Sequence, residues 1–136
     1  MNKLLAILIL LFIAGYAPIP HAAKVKPEMR GTILYNGMPA KGAEVRQCRI
    51  FQDGKCQTFT AVTTDENGNF KLKARREFRW YVTLFGDEMF GYGFTVYYKG
   101  NSYPGCTGND LGVLSDVSHI TYELTSKEEC NLHPGG

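Results

Sequence analysis

From Met29 onward, apolar side chains recur at every second position, which is the period of a β-strand. In "NFKLKAR", residues 69–75, Phe70 and Leu72 alternate with Lys71 and Lys73, the pattern of a strand with one buried face. Helix-forming residues do not gather into a long amphipathic run in this part of the chain. The alternation therefore predicts an all-β domain.

Further strand candidates are separated by Gly, Asn and Asp turn signals. They are "MRGTILY" (29–35), "AEVRQCRIFQ" (43–52), "CQTFTAVTT" (56–64), "RWYVTLF" (79–85), "YGFTVYYK" (92–99) and "SHITYEL" (118–124). Together they predict a two-sheet antiparallel sandwich of about seven strands. Because "RWYVTLF" is apolar on both faces, we expect it to lie centrally or to line a contact.

The N-terminal segment has the pattern of a secretory signal. A basic start at Lys3 precedes an apolar run, residues 4–14, and then Ala22 and Ala23. The run is much shorter than the ~20 residues that a transmembrane helix needs, so we expect no stable membrane anchor. We predict a signal peptide over 1–23 and one domain over 24–136, exported to the bacterial periplasm or secreted. The cleavage site is defined only to within a few residues, because signal peptides prefer a small residue three positions before the cut and this chain has His21 there.

Four cysteines in a small exported chain predict two disulfides. We expect Cys48 to pair with Cys56 across a hairpin and, by elimination, Cys106 to pair with Cys130. A zinc site is the rival interpretation, but the spacings lack the close C-x2-4-C pairs of zinc modules.

The first pairing predicts a register for the hairpin. If Cys48 faces Cys56, the hairpin is centred on Gln52 and Val45 lies opposite Phe59, which makes one continuous apolar face. A tight turn of two residues, 53–54, would instead place Cys48 opposite Phe59. We prefer the first register.

The segment "TTDENGNF" places Asp65, Asn67 and Asn69 at alternate positions, as the first ligands of a calcium loop would be. Such a loop also needs a Gly and a bidentate Glu, where this chain has Phe70 and Arg76. We interpret the segment as a turn between two strands, and we expect no metal or cofactor.

Two stretches carry a family resemblance: "GTILYNGMPAKGAEV" followed by "TTDENGNFKL". They resemble the N-terminal half of transthyretin-like and carboxypeptidase-regulatory-like domains, over roughly residues 29–75. The matching positions are Gly31, Gly37, Pro39, Gly42, Ala43, Val45, Thr64, Asp65, Gly68 and Phe70. The resemblance implies a prealbumin-type sandwich, and these positions mark strands and turns in the family rather than catalytic groups.

The resemblance raises the question of catalysis, because the hydroxyisourate hydrolases are transthyretin-like. Those enzymes use particular His and Arg residues and a C-terminal Tyr-Arg-Gly-Ser, whereas this chain ends in "NLHPGG". The segment "SDVSH" gathers Ser115, Asp116, Ser118 and His119, but Ser118 and His119 are neighbours on a predicted strand and point to opposite faces. We expect no catalytic residues, and an atypical hydrolase is a lesser alternative.

Two features could bind a partner. A basic row, Lys71, Lys73 and Arg75 followed by Arg76 and Arg79, could meet an acidic protein, phospholipid headgroups or lipopolysaccharide, or could serve only as a solubilising face. Two loops, residues 85–93 and 99–110, carry the side chains that commonly anchor interfaces. The candidates on these loops are Asp87, Met89, Phe90 and Tyr103.

These observations predict a non-catalytic exported binding module that recognises a protein partner, as an adaptor or as an inhibitor of the immunity type. The net charge of +2 is too small to indicate a nucleic-acid partner. The alternative is a carrier of a small apolar or sugar ligand, in a cavity walled by Trp80, Tyr97 or Tyr98.

Overall fold

A computed structural model describes residues 2–17, 19–50, 53, 55–83, 89–111 and 114–133. One helix, α1 (Lys3–Ile13), precedes a series of β-strands. The strands are β1 (Tyr16–Ala17), β2 (His21–Lys26), β3 (Met29–Tyr35), β4 (Met38–Pro39), β5 (Glu44–Ile50), β6 (Cys56–Thr63), β7 (Asn69–Leu72), β8 (Arg75–Arg79), β9 (Val82–Thr83), β10 (Met89–Tyr98), β11 (Asn101–Tyr103), β12 (Cys106–Leu111), β13 (Val117–Glu123) and β14 (Cys130–Asn131).

Two sheets form the body of the domain. The larger has the order β14-β12-β10-β5-β6, with β11 also paired to β10, and the smaller has the order β13-β3-β4, with β7 also paired to β3. The strands of four or more residues in these sheets are β3, β5, β6, β7, β10, β12 and β13. The predicted all-β sandwich of about seven strands is therefore confirmed.

The core lies between the inner faces of the two sheets. The ring of Phe94, on β10, packs against Phe70 of β7 and Tyr122 of β13, with centroids 5.3 Å and 6.0 Å away. In the strand candidates 92–99 and 118–124 the alternate apolar residues face inward: Tyr92, Phe94, Val96, Ile120, Tyr122 and Leu124 are buried, and Tyr98 is half-buried against the core. Hydrophobic burial along these rows is the main force that holds the sheets together.

The predicted antiparallel arrangement holds for most pairs but is wrong for two. β13 runs parallel to β3, with Val117 opposite Met29, and β14 runs parallel to β12. The chain leaves the larger sheet after β12 and enters the smaller one at the end where β3 begins. β13 therefore runs along β3 from the same end, and the two strands are parallel.

Both predicted disulfides are present. Cys48 and Cys56 join β5 to β6, with Cα atoms 5.2 Å apart. Cys106 and Cys130 lie opposite each other on β12 and β14, with Cα atoms 4.6 Å apart. The second bridge ties the C-terminal segment to an edge of the larger sheet.

The preferred register of the β5–β6 hairpin is wrong. Val45 lies opposite Val62, which is the register of the rejected two-residue turn, and a bulge then places Cys48 opposite Thr58. Because of this extra residue, Cys56 lies opposite Ile50. Ile50 is two positions along β5 from Cys48 and points to the same face of the sheet. The disulfide therefore joins diagonal neighbours, which are still close enough to be bridged.

The turn interpretation of residues 64–69 is confirmed. The carboxylate of Asp65 accepts hydrogen bonds from the backbone N–H groups of Asn67 and Asn69, both 2.9 Å long. Gly68 takes a positive φ of 75° within this turn. These bonds, that of Asn69 first, hold the pKa of Asp65 below its ordinary value.

The strand predicted over residues 79–85 does not lie centrally. β8 pairs with β2, and β9 pairs with β1, in two small sheets separate from the sandwich. Residues 84 and 85 lie outside the described part of the chain. The strand predicted over 69–75 likewise ends at Leu72, so Lys71 and Arg75 belong to different sheets. Most of the segment 75–83 pairs with residues that pattern analysis assigned to the signal, whereas Arg75 and Arg76 pair with Lys26 and Lys24 of the predicted domain.

The N-terminal segment is helical over its apolar run, as α1. Among the described residues, no helix is long and apolar enough to span a membrane. The predicted cut after Ala23 falls inside β2. Residues on the two sides of that bond therefore belong to one strand in the full-length chain.

Candidate functional site

Three exposed aromatic side chains of the β domain lie on β8 and just after it. Phe78 is 60% exposed, Trp80 is 70% exposed and Tyr81 is 49% exposed. The rings of Phe78 and Trp80 meet edge to face, with centroids 4.9 Å apart. We call Phe78, Trp80 and Tyr81 the aromatic segment.

The sheet topology explains why this segment is not buried. β8 lies in a two-stranded sheet with β2, outside the two sheets that enclose the core. Exposed aromatic rings are a common feature of protein interfaces.

Basic side chains flank the aromatic segment on one side, although not as one row. Lys71 is exposed on β7, Lys73 is exposed between the strands, and Arg75 is exposed on β8. The Lys71 Nζ lies 3.6 Å from a carboxylate oxygen of Glu28, and the Arg75 guanidinium lies 3.0 Å from that of Glu77. These exposed ion pairs contribute little to stability. The basic side chains outnumber the acidic ones here, so the surface around β8 is basic.

β2, the strand that pairs with β8, is held to the body of the domain through its C-terminal residues. The Asp116 carboxylate accepts hydrogen bonds from the Glu28 N–H at 2.7 Å and from the Lys24 Nζ at 3.0 Å. These contacts, with Glu28 first, hold the pKa of Asp116 below its ordinary value. The Lys26 Nζ, which is buried, donates to the hydroxyl of Thr60.

The predicted loop residues are only partly brought together. Met89 is 66% exposed at the start of β10, directly opposite Leu111, which is 67% exposed. Phe90 follows on β10 opposite Asp110, but its side chain and the whole of Asp87 lie outside the described part of the structure. The exposed pair of Met89 and Leu111 is a second apolar spot at this end of the β10–β12 ladder.

Tyr103 does not stand on a free loop. It lies on β11, opposite Val96, and its partly buried side chain packs against the core. The predicted loop over 99–110 is largely β-structure, as β11 and β12. Tyr103 is therefore better explained by packing than by recognition.

The polar residues of the segment 115–119 have structural roles in the contacts that the structure describes. His119 is exposed and takes a positive φ of 61° in a bulge of β13. Asp116 is engaged by Glu28 and Lys24, and Ser115 donates its N–H to Asp110 at 2.7 Å. The contacts described here do not assemble a nucleophile, a base and an orienting acid.

The residues proposed for a carrier cavity have other neighbours. Tyr98 packs edge to face on Tyr35 at 5.4 Å, with the Lys99 Nζ over both rings, and the Arg46 guanidinium lies 4.1 Å from the centre of the Tyr97 ring. An enclosed cavity of about 10 Å³ lies elsewhere, between Pro27, Gln47 and Tyr92 among others. That volume is close to the size of one water molecule and far below that of a sugar.

Sequence reasoning placed Trp80 only in the wall of a ligand cavity, and it missed Phe78 and Tyr81 as exposed site residues. The signal that could have found them is the run "EFRWYV", where aromatic residues occupy both strand faces beside arginines. A strand of that composition suits neither a buried position nor an ordinary solvated face.

Comparison with known sequences identifies a family. No protein with a curated description matches the chain. A family model matches residues 29–110, which run from β3 to β12 and include the aromatic segment and Cys106. Because this match covers more than half of the chain, the protein belongs to the family described as Domain of unknown function (DUF6795).

Proposed function

We propose that this protein is an exported, non-catalytic binding module that recognises a protein partner, as an adaptor or as an inhibitor of the immunity type. The observation that carries the proposal is the exposed, mutually packed pair of Phe78 and Trp80. Two aromatic rings that already pack against each other supply a large apolar area.

The surroundings of the pair favour a protein over a small ligand. The two rings lie on an open strand rather than in a pocket, and the cavity beside Gln47 and Tyr92 is only water-sized. The arginines of β8 provide a charged border of the kind that surrounds the apolar centre of protein interfaces. Met89 and Leu111 supply a second exposed apolar spot.

The compartment is part of the proposal. Two intramolecular disulfides favour an oxidising environment, and the basic and apolar N-terminus favours export. We infer the bacterial periplasm or the extracellular medium. A prealbumin-type relationship to the transthyretin-like domains is also inferred, supported by the turn signals at Asn36–Gly37 and Asp65–Gly68 and by the two-sheet architecture.

The test is quantitative affinity capture with the exported, oxidised protein from its native host. Wild-type protein is compared with Trp80→Ala and with Met38→Ala, which removes a side chain of similar exposure on β4. We expect one protein to co-purify with the wild type and Met38→Ala, and its recovery to fall by roughly tenfold or more with Trp80→Ala. Equal recovery with all three proteins, or a co-purifying small molecule and no protein, would contradict the proposal.

A further inference from the structure

Two buried side-chain atoms have no hydrogen-bond partner among the described residues: the Oε1 of Gln47 and the Oη of Tyr92. Gln47 is 1% exposed and Tyr92 is 3% exposed, so bulk solvent does not reach these side chains freely. A buried polar atom that makes no hydrogen bond has lost its hydration without compensation. Such atoms are rare in folded proteins, and each of the two calls for a partner.

The two side chains line the same cavity. Gln47 on β5 lies opposite Phe94 of β10, and Tyr92 stands two positions before Phe94. Residues two apart on a strand point to the same face, so Gln47 and Tyr92 are diagonal neighbours on the inward face of the larger sheet. With Leu114 and residues 25–27, among others, they line a cavity of about 10 Å³. That volume is at the lower limit for one water, ~10–15 Å³.

The orientation of the Gln47 amide is fixed by its other end. Its Nε2 donates a hydrogen bond to the carbonyl of Pro27 at 2.9 Å. If the amide were turned over, Oε1 and the carbonyl oxygen of Pro27 would face each other as two acceptors. The oxygen of the Gln47 amide is therefore the end that is left for the cavity, and it requires a donor.

The Tyr92 hydroxyl keeps its proton and can also accept a hydrogen bond. Burial, and then the charge and hydrogen bonding of Asp110, raise the pKa of Tyr92 to about 12, so the group is neutral at ordinary pH. The hydroxyl and the Asp110 carboxylate nevertheless do not meet the distance and angle of a direct hydrogen bond. A phenol whose O–H is turned toward Asp110 still has an oxygen lone pair for a second donor.

The chemistry of the cavity favours water over an ion. An anion without a proton cannot donate to Gln47 Oε1, which only accepts. A metal cation would be opposed by the positive charges of Lys26 and Arg49, which also line the cavity. A water molecule is neutral, fits the volume and carries two O–H donors, one for each of the two oxygens.

We propose that one buried water occupies this cavity and donates one hydrogen bond to Gln47 Oε1 and the other to Tyr92 Oη. The water then completes a polar chain across the larger sheet. At one end of the chain, the Ser115 N–H donates to Asp110 at 2.7 Å, and Asp110 acts on the Tyr92 hydroxyl. At the other end, Gln47 donates to Pro27. The water site lies outside the aromatic segment and does not depend on the binding of a partner.

The first test counts long-lived waters in the exported, oxidised protein. All residues that line the cavity follow the predicted cut, so this form contains the whole site. Magnetic relaxation dispersion of the water oxygen nucleus gives the number of waters that stay buried for longer than nanoseconds. We expect Tyr92→Phe to hold one such water fewer than the wild type, because the variant lacks one of the two acceptors. The matched control is Tyr103→Phe, which removes a hydroxyl from a partly buried ring outside the cavity lining and should leave the number unchanged.

The second test locates the water and needs no variant. A high-resolution crystal structure of the exported protein should show one water within hydrogen-bond distance, about 2.5–3.0 Å, of both Gln47 Oε1 and Tyr92 Oη. No water at that place, an ion instead of it, or a Tyr92 hydroxyl that donates directly to Gln47 would overturn the inference. Equal numbers of long-lived waters in the wild type and Tyr92→Phe, or the same loss with Tyr103→Phe, would also overturn it.

Discussion

Phe78 and Trp80 pack edge to face with centroids 4.9 Å apart, although each ring is more than half exposed. This contact contrasts with that of Phe94 and Phe70, which have a similar centroid separation of 5.3 Å inside the core. One pair is available to a partner, and the other holds the two sheets together. The two pairs therefore predict opposite mutational behaviour.

The first prediction concerns this contrast. Phe94→Ala should lower the free energy of unfolding by about 3–5 kcal/mol, because it leaves a cavity between the sheets. Trp80→Ala should change it by no more than about 0.5 kcal/mol, because the side chain is largely in solvent. Urea unfolding of the oxidised protein measures both. A large loss with Trp80→Ala would mean that the aromatic segment is structural.

The second prediction concerns two glycines that share a positive φ. A Cβ at Gly105 would lie 1.9 Å from the Phe94 carbonyl oxygen, whereas one at Gly100 would meet nothing within 4 Å. Gly105→Ala should therefore destabilise the protein by roughly 2–5 kcal/mol, and Gly100→Ala only by about 1–2 kcal/mol for its backbone conformation. Thermal or urea unfolding compares the two. Equal losses would show that the β10–β11–β12 corner is not packed as described.

The sequence predicted these features unequally. The turn at Asn36–Gly37 and the buried row of Tyr92, Phe94 and Val96 were predictable because each depends on neighbouring residues. The pairing of β8 with β2 was not, since it joins segments about fifty residues apart and both of its strands are short. The bulge that shifts Cys56 was hidden for a different reason, because one extra residue reverses the faces that alternation predicts.

The same distinction applies to the candidate site. The strand over 79–85 was noted because it is apolar on both faces, but nothing local indicated that it leaves the sandwich. Tyr103 looked exposed among glycines, yet a short strand, β11, turns its ring toward the core. Exposure depends on the partner strand, and the partner is set by topology.

The third prediction concerns the disulfides. Replacing Cys106 and Cys130 with Ala should cost about 3.5 kcal/mol, and replacing Cys48 and Cys56 about 2.6 kcal/mol, because the first bridge closes the longer loop. Denaturant unfolding of the two double variants tests the order. A larger loss from the Cys48 and Cys56 variant would show that strand geometry at the β5–β6 bulge outweighs loop closure.

The fourth prediction concerns pH. The Glu123 carboxylate accepts hydrogen bonds from the Thr125 hydroxyl and from the N–H groups of Asn36 and Gly37. These contacts, with Thr125 first, lower the pKa of Glu123. A lowered carboxylate pKa adds stability that is present above the ordinary pKa of the group and is lost as the pH falls through the lowered value.

Glu123→Gln should therefore be less stable than the wild type at about pH 7, and the difference should shrink at about pH 3. Glu129→Gln, at an exposed position near the C-terminus, is the matched control and should show almost no difference at either pH. Urea unfolding at the two pH values gives the comparison. A difference between Glu123→Gln and the wild type that does not depend on pH would exclude this carboxylate as the titrating group.

Site-specific photo-crosslinking in the native host tests the central claim most directly. The photoreactive residue p-benzoylphenylalanine replaces Trp80 in one strain and Met38, which is similarly exposed on β4, in the other. The account predicts a discrete adduct with one protein from position 80 and none from position 38. No protein adduct at position 80, or the same adducts from both positions, would contradict it.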